Sequence, residues 1–475
     1  MTSTLLAHLE SSLSTNFPGS HRYTLQLLRS QPRRSHALFP HATNLKTKIW
    51  QEELLLILSE RSLGTDGKED DIPVFALEAS NYTIPSTSTA LLYISKVDTT
   101  GLSDSSLSPA RTLTSAFLSY QLLHPPHAVN RIRIHIFAKA QGQYLFPGSV
   151  ENKGKKVLDD KGLIRWWKGC ISASAVAVGS GKEGEGKEGL RLFYLIPGLG
   201  ESEALPYVPL DPRYPPSTVN WTYSHPYSLI PSPLYPSSTA PENPTVNDLI
   251  PAFPDDPKSR FLTSLTSSSI SASGEPDDYD DVILALASNA FTTGSSNVVR
   301  KEAVERARER ERGRLIAGVP GGAEEWWERM AFRQECCSGV LVGFFVVVLD
   351  REPPTPTSMS NTAPTPQAAS LPHPLFTKLW SQFHNVDYAT TALANLPTIR
   401  KKWSEDLLAL VSKDGYRVGT SNGASEGAEG DFLRRFVERR FEVKNEGFLD
   451  SGKRERVVEE PIKVNLMVPR KKKKV

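Results

Sequence analysis

Cysteine is almost absent from this sequence: its 475 residues include three, Cys170, Cys336 and Cys337. Adjacent cysteines neither pair readily with each other nor match zinc-ligand spacing, so no disulfide framework and no metal site is expected, and a reducing compartment fits. Long apolar runs are missing too. The longest, Val340 to Leu349, is about half the roughly 20 residues a spanning helix needs, and the N-terminus lacks the basic-then-apolar order of a secretion signal. Nor does one sign of charge dominate: 55 Lys and Arg stand against 53 Asp and Glu. That balance gives no global field toward a membrane or nucleic acid, and direct sequence-specific nucleic-acid binding is not expected. A soluble, intracellular protein is expected.

What is present is core interrupted by loop. Hydrophobic residues make up 39% of the chain, enough for at least one sizeable core, while 36 prolines and several Ser/Thr/Gly tracts assign much of the length to connections. Residues 1 to 63 read as a mixed segment entering the fold, ending in the continuous apolar cluster Leu54 to Leu58. Val74 to Glu78, Ala90 to Val97 and Ile132 to Phe137 then read as strands, the last with Ile132, Ile134 and Ile136 on one face and Arg133 and His135 on the other. Between the second and third, Leu113, Ala116, Phe117 and Tyr120 mark Ala110 to Leu123 as an amphipathic helix. Ser172 to Val178 and Leu190 to Ile196 read as two further strands around a solvated Gly/Lys/Glu hairpin excursion, Gly179 to Gly189. Further on, Asn297 to Ile316 and Glu324 to Phe332 read as helices, Val340 to Leu349 as a buried central strand, and Leu375 to Val411 as a helical pair broken at Pro397. The strand, helix, strand order predicts an α/β fold. One domain is expected over residues 1–415, with flexible insertions near 179–189, 263–281 and 351–374, followed by a flexible C-terminal region, 416–475, that ends in Arg470, Lys471, Lys472, Lys473 and Lys474.

Some apparent motifs dissolve on inspection. Gly181 to Lys187 starts like a phosphate-binding loop, but Glu188 stands where the magnesium-binding hydroxyl belongs. Gly419 to Gly423 spells a nucleophile elbow with no apolar strand leading into it. The histidines are scattered without metal-ligand spacing.

Three clusters are polar or aromatic where a loop needs neither. Lys96, Val97, Asp98, Thr99, Thr100 and Gly101 close a strand, and Arg111 and Thr112 open the next helix. Such a junction suits a pyrophosphate, although an ordinary strand-to-helix turn has the same pattern. Gln143 to Phe146, Lys155 to Leu158 and Leu163 to Trp167 interleave lysines with large aromatics. Adjacent Trp166 and Trp167 point to different sides of most backbones, so one could pack while the other lines a pocket; core plus a solvated face is the competing reading. Phe253 to Phe261 fixes Asp255 and Asp256 between prolines with Lys258 two residues on, which suits either an amine site or a capped helix start.

Taken in this order, the clusters resemble the fungal histone acetyltransferases of the "regulator of Ty transposition" family, distantly similar to the CREB-binding-protein acetyltransferases. The carriers are SKVDTTG (Ser95 to Gly101), QYLFPGS (Gln143 to Ser149), KKVLDDKGLIRWW (Lys155 to Trp167), FPDDPKSRF (Phe253 to Phe261), ASNAFTTGSSNVVRKEA (Ala287 to Ala303) and WWERMAFRQECCSG (Trp326 to Gly339). The resemblance implies an acetyltransferase fold, a mixed central sheet flanked by helices, with irregular loop insertions and a C-terminal helical segment. It implies acetyl-CoA as cosubstrate, without a metal, and acetyl transfer to lysines of histone three. By the matching motifs, Val97, Asp98, Thr99, Arg111 and Thr112 would contact pantetheine and pyrophosphate, and Phe137, Lys156, Val157, Leu158 and Trp166 would complete the cofactor site. Tyr144 and Trp167 would line a lysine tunnel, Asp255 and Asp256 would lie near the incoming amine, and Lys258 matches a lysine that the family acetylates on itself. Histone three–four complexes and chaperones of the anti-silencing-function and nucleosome-assembly-protein-like types are the implied partners, chromatin assembly and genome maintenance the implied setting. The basic tail resembles a nuclear import signal.

Chemistry agrees with that implication. A lysine must shed a proton held with a pKa near about 10.4 before attacking a thioester, so an apolar aromatic tunnel beside a carboxylate is apt. Where the distant relatives carry tyrosine after the tunnel tryptophan, this chain has Trp167, so a tyrosine acid at that position is excluded. The alternative is a histone or chaperone-binding scaffold that kept the fold and lost turnover.

Overall fold

The computed structural model describes residues 4–40, 42, 47–63, 69–103, 107–179, 189–236, 239–242, 244–262, 322–333, 336, 339–351, 362–367, 369–390 and 437–445. They build a 10-stranded mixed sheet with packed layers on both faces. The strands are β1 (Gly19–Arg29), β2 (Arg33–Ser35), β3 (Ile49–Leu63), β4 (Glu69–Ile84), β5 (Thr89–Thr99), β6 (Arg131–Ala138), β7 (Leu190–Leu195), β8 (Trp221–Tyr223), β9 (Gly343–Asp350) and β10 (Glu438–Asn445). Their spatial order is β10-β1-β3-β4-β5-β6-β9-β7-β8, with β2 paired to β3 off that path. Neighbours are antiparallel except β5–β6 and β7–β8. The parallel β5–β6 step needs a crossover, which helix α2 (Ala110–Leu123) supplies.

One face is covered by α1 (Leu5–Asn16), α2 and α3 (Asp160–Gly179). The Thr4 hydroxyl caps α1 by accepting from the Ala7 N–H, and Leu5, Leu6, Leu9 and Leu13 supply its buried stripe. Against the other face lie the loop carrying Leu145 and Phe146 and helix α5 (His373–His384). Helix α4 (Gly322–Met330) packs with Phe261 and Phe344 in a separate cluster.

Because both faces are covered, Leu54, Leu56 and Leu58 of β3 enter the core under α1 and α2, while Leu55 and Ile57 enter the one under α5. That is why Leu54 to Leu58 shows no alternation: it is a two-sided strand.

Several sequence expectations are corrected. Ser172 to Val178 is not a strand but the C-terminal part of α3, where the buried residues Ile164, Trp167, Lys168, Ile171, Ala175 and Val178 follow helical spacing. The 179–189 tract therefore stands between a helix and β7, not between two strands. Residues 1–63 contain α1 and three sheet strands. β10 arises within the region expected to be a flexible tail and forms an edge of the sheet, pairing with β1 from Gly19↔Asn445 to Gln26↔Glu438. Phe441 and Val443 enter the core, and the Asn445 amide donates to the Ser14 and Phe17 carbonyls at 2.6 and 2.8 Å. The end of the 351–374 segment is also tied down, since Leu371 exchanges backbone hydrogen bonds with Arg29 and Gln31. The helix expected at Asn297 to Ile316, the loop at 263–281 and the basic tail lie outside the described residues.

Candidate functional site

The site begins at an irregularity in β5. The β4–β5 register shifts between Glu78 and Ala79, leaving Ser95 as an extra residue whose hydroxyl donates to the Glu78 carboxylate at 2.6 Å. An inserted residue reverses the alternation beyond it. Leu92 and Ile94 face the α2 side before the bulge, and Val97 faces it after, so Asp98 points to the opposite face.

There the Asp98 carboxylate is 6% exposed and saturated. One oxygen accepts the N–H groups of Tyr144, Leu145 and Phe146 at 2.7, 2.9 and 3.3 Å. The other accepts the Thr99 N–H at 2.8 Å and the Lys155 ammonium at 2.9 Å. Lys155 in turn donates to Ser149 Oγ at 2.6 Å. A buried carboxylate survives only when paired and hydrogen-bonded, and here the pairing fixes two loops against the end of β5. Tyr144 is also held: its phenol donates to the Lys139 carbonyl at 2.6 Å and accepts from the Gln141 N–H at 2.9 Å. Burial pushes that phenol up to about 12, so it keeps its proton near neutrality.

Between the end of β5, the start of α2, residues 154–158 and the first turns of α3 lies a cavity of about 450 Å³. Val97, Asp98, Thr99, Tyr144, Lys156, Val157, Leu158 and Trp166 line it. Leu107, Val157 and Leu158 expose 51%, 50% and 40% of their surface, an apolar wall beside the hydroxyls of Thr99, Ser103 and Ser108. Gly101, at φ +73°, and Gly154 close one end by crossing backbone to backbone. A Cβ on Gly101 would fall 2.2 Å from the Lys155 nitrogen, and one on Gly154 2.3 Å from the Gly101 oxygen. Size and donor set fit a ligand with an apolar, amide-bearing arm and anionic groups.

A second cluster lies buried on the face opposite α2. Asp256 is 1% and Lys258 3% exposed, and they form an ion pair reinforced by the Lys258 N–H donating to Asp256 Oδ1 at 2.9 Å. Around them are Tyr93 of β5, His135 of β6, Tyr227 and Phe253, with the Lys258 ammonium 4.8 Å from the Phe344 ring centre. Burial drives Lys258 below its ordinary value despite the opposing pull of Asp256. His135 is pushed well down by burial and then by the Lys258 and Arg133 charges, so it is neutral, while burial and the Asp256 charge push Tyr93 and Tyr227 well up. Asp255, next in sequence, is exposed and adopts φ +59°.

The structure thus brings eight expected residues together around one cavity and separates the rest. Trp166 is in the wall; Trp167 is 5% exposed in the main core, because neighbours on a helix point about 100° apart. The Arg111 guanidinium lies across Gly169 of α3, whose added Cβ would meet Arg111 Nη2 at 2.0 Å, and neither Arg111 nor Thr112 lines the cavity. Phe137 stacks on Phe344, ring centres 4.9 Å apart. Asp255, Asp256 and Lys258 belong to the second cluster, not to the cavity wall. Lys156 lines the cavity as expected, while its neighbour Lys155, which was given no role of its own, is the partner of Asp98. Nothing in the motifs signals Asn152, which bonds at once to Thr100, Tyr388 and Thr390.

Comparisons with known proteins bear on this arrangement. Residues 9–121 and 110–418 match the family described as "Histone acetyltransferase KAT11-type domain". "Histone acetyltransferase rtt109" of Aspergillus flavus is 29% identical over 361 residues, covering 71% of this chain and 55% of that protein. The protein of the same name from Schizosaccharomyces pombe is 26% identical over 286 residues, covering 59% of this chain and 58% of that one. The chain thus spans little more than half the length of these relatives. A crystal structure of Rtt109 from Aspergillus fumigatus superimposes with a TM-score of 0.62 at 23% identity, covering 92% of this chain and 99% of that one, a likeness of fold.

Proposed function

The chain belongs to the KAT11-type histone acetyltransferase family, and from that premise we propose that it transfers acetyl from acetyl-CoA to lysine side chains of histone three. The observation that carries this reading is the cavity at the end of β5, whose wall draws on three separate stretches of family motif. Val97, Thr99, Val157, Leu158 and Trp166 would hold the pantetheine arm and Lys156 an anionic group, with Asp98 fastening the walls. When bound, acetyl-CoA supplies an activated acyl thioester; no metal is needed for attack on it. The part of the chain is to receive an amine and remove its proton. The aromatic surface of Tyr144 and Trp166 disfavours the ammonium, and the carboxylates of Asp255 and Asp256 would position the amine or accept its proton. In the unmodified protein Asp256 is occupied by Lys258. Acetylation of Lys258 by the protein itself would remove that charge, and the burial of Lys258 favours a donor held in the same molecule over one in solution.

The substrate would be histone three–four complexes presented by chaperones of the anti-silencing-function and nucleosome-assembly-protein-like types, in the nucleus, during chromatin assembly and genome maintenance. The tail from Arg470 to Lys474 would serve import. Titration of acetyl-CoA against the full chain tests the cavity: Trp166→Ala should weaken binding about tenfold or more, in line with the loss of a buried aromatic contact, and equal affinity in both proteins would remove the cavity from the account.

A further inference from the structure

We infer that Asn152 is a positioning residue that couples the chain after α5 to the walls of the cavity. The inference rests on the reading of that cavity as the acetyl-CoA site. Asn152 is 3% exposed and its amide group is fully engaged. The NH2 donates to the carbonyls of Thr100 and Tyr388, both at 2.8 Å, and the oxygen accepts from the N–H and the hydroxyl of Thr390, both at 2.6 Å. Thr100 lies between the wall residues Thr99 and Gly101, and Asn152 lies two residues before Gly154 and three before Lys155. One side chain therefore joins three stretches distant in sequence: the end of β5, the loop bearing the other wall, and residues 388–390.

Independent contacts follow the same line. The Tyr388 N–H donates to the Pro147 carbonyl at 2.8 Å, and the Tyr388 ring meets Phe146 edge-on with centres 4.8 Å apart. The Gly148 backbone runs so close to Asp387 that an added Cβ would fall 2.1 Å from its Oδ1. Phe146 is one of the residues whose N–H binds Asp98. Residues 385–390 thus press the 144–152 loop onto β5, and the asparagine is the side chain that fastens both of these segments to the end of β5. Aspartate has the same shape and preserves both acceptor contacts to Thr390, but it turns an oxygen toward two carbonyl oxygens and buries a charge.

The test uses the full chain as wild type, Asn152→Asp, Thr390→Val and the double variant. Acetyl-CoA affinity, kcat and KM are measured with hydrogen exchange of residues 144–155 and 385–390 recorded without ligand. Asn152→Asp should raise Kd and KM for acetyl-CoA by about tenfold, equivalent to about 1.4 kcal/mol, leave kcat within about threefold, and speed exchange in both segments together. Thr390→Val, which removes one hydroxyl contact, should do the same on a smaller scale, and because aspartate keeps the acceptor for that hydroxyl, the double variant should lose more than either single change. Faster exchange in 385–390 alone, unchanged affinity, or a loss confined to kcat would overturn the inference. If Asn152→Asp fails to fold, Thr390→Val decides: wild-type affinity and exchange in it count against the coupling. Failure of the acetyl-CoA reading is told apart by wild-type protein that binds no acetyl-CoA, because the coupling of the two segments is read without it.

Discussion

Replacing Asp98 by asparagine changes one atom and should cost the protein much of its site. Each carboxylate oxygen faces donors only: three backbone N–H groups on one side, an N–H and the Lys155 ammonium on the other. Whichever way the amide is turned, its NH2 opposes donors. If it faces Lys155, whose side chain is 4% exposed, a buried cation loses its counter-charge; breaking such a pair costs about 3–5 kcal/mol. If it faces Tyr144 to Phe146, three hydrogen bonds to a charged acceptor are lost, each worth about 1.5–3 kcal/mol before the loop relaxes into water. The second route sums to about 4.5–9 kcal/mol before that relaxation, so the loss is at least about 3–5 kcal/mol, a large share of the roughly 5–15 kcal/mol that separates a folded domain from its unfolded chain. Urea unfolding followed by tryptophan fluorescence measures the loss, and acetyl-CoA titration of the folded fraction measures the site. Asp98→Asn combined with Lys155→Met should lose less than the two changes made separately, since the second removes the cation stranded by the first. A variant within about 1 kcal/mol of wild type, with unchanged affinity, would refute the claim that this carboxylate fastens the loops.

Gly101→Ala should destabilise by at least about 1–3 kcal/mol and weaken acetyl-CoA binding, because the new Cβ would enter the Lys155 backbone at a positive φ; a thermal melt and a titration check both. Lys168 lies 4.3 Å from the Tyr194 ring centre and 5.9 Å from that of Trp221, and burial lowers it from 10.5 to about 8 against the opposing charges of Asp211 and Glu201. Between those values the unfolded chain holds a proton that the native one has released, so stability rises with pH across that window and is flat below it. Lys168→Met should remove the rise, raising stability at pH 7 by up to about 3 kcal/mol, and denaturation midpoints at successive pH values show whether it does. Asp256→Asn should strand the buried Lys258 ammonium and lower both stability and turnover; full turnover with acetyl-CoA and histone would remove Asp256 from the amine chemistry.

The elements legible in the sequence were those whose burial is one-sided or whose motif is local. Ala110 to Leu123 shows a helical stripe because one face meets the sheet, and the structure gives the same bounds. β3 hid its nature because both faces are buried, leaving no period to read. The small residues of 172–178 imitated a strand because alanine and serine carry little periodicity, and the pattern emerges only when Ile164, Trp167 and Ile171 are read with them. β10 was invisible since its eight residues are mostly charged, as an edge strand permits, and its pairing with β1 spans more than four hundred positions. At the site, the motifs around Asp98, Tyr144, Leu158 and Trp166 sufficed to gather one wall. They assigned both Trp166 and Trp167 to the site, where only Trp166 lines the cavity, and gave no sign that Lys155 would pair with Asp98. These outcomes depend on helix phase and on the Ser95 bulge, neither of which residue types alone disclose.

Acetyl incorporation tests the central claim most directly: labelled acetyl-CoA, histone three–four complexes with and without a chaperone, wild type beside Trp166→Ala, and mass spectrometry of both histone and protein. The account predicts label on histone three lysines, increased by the chaperone and reduced by the substitution, with label also on Lys258. Tight histone or chaperone binding without acetyl transfer under any of these conditions would contradict it and leave a scaffold that shares the fold.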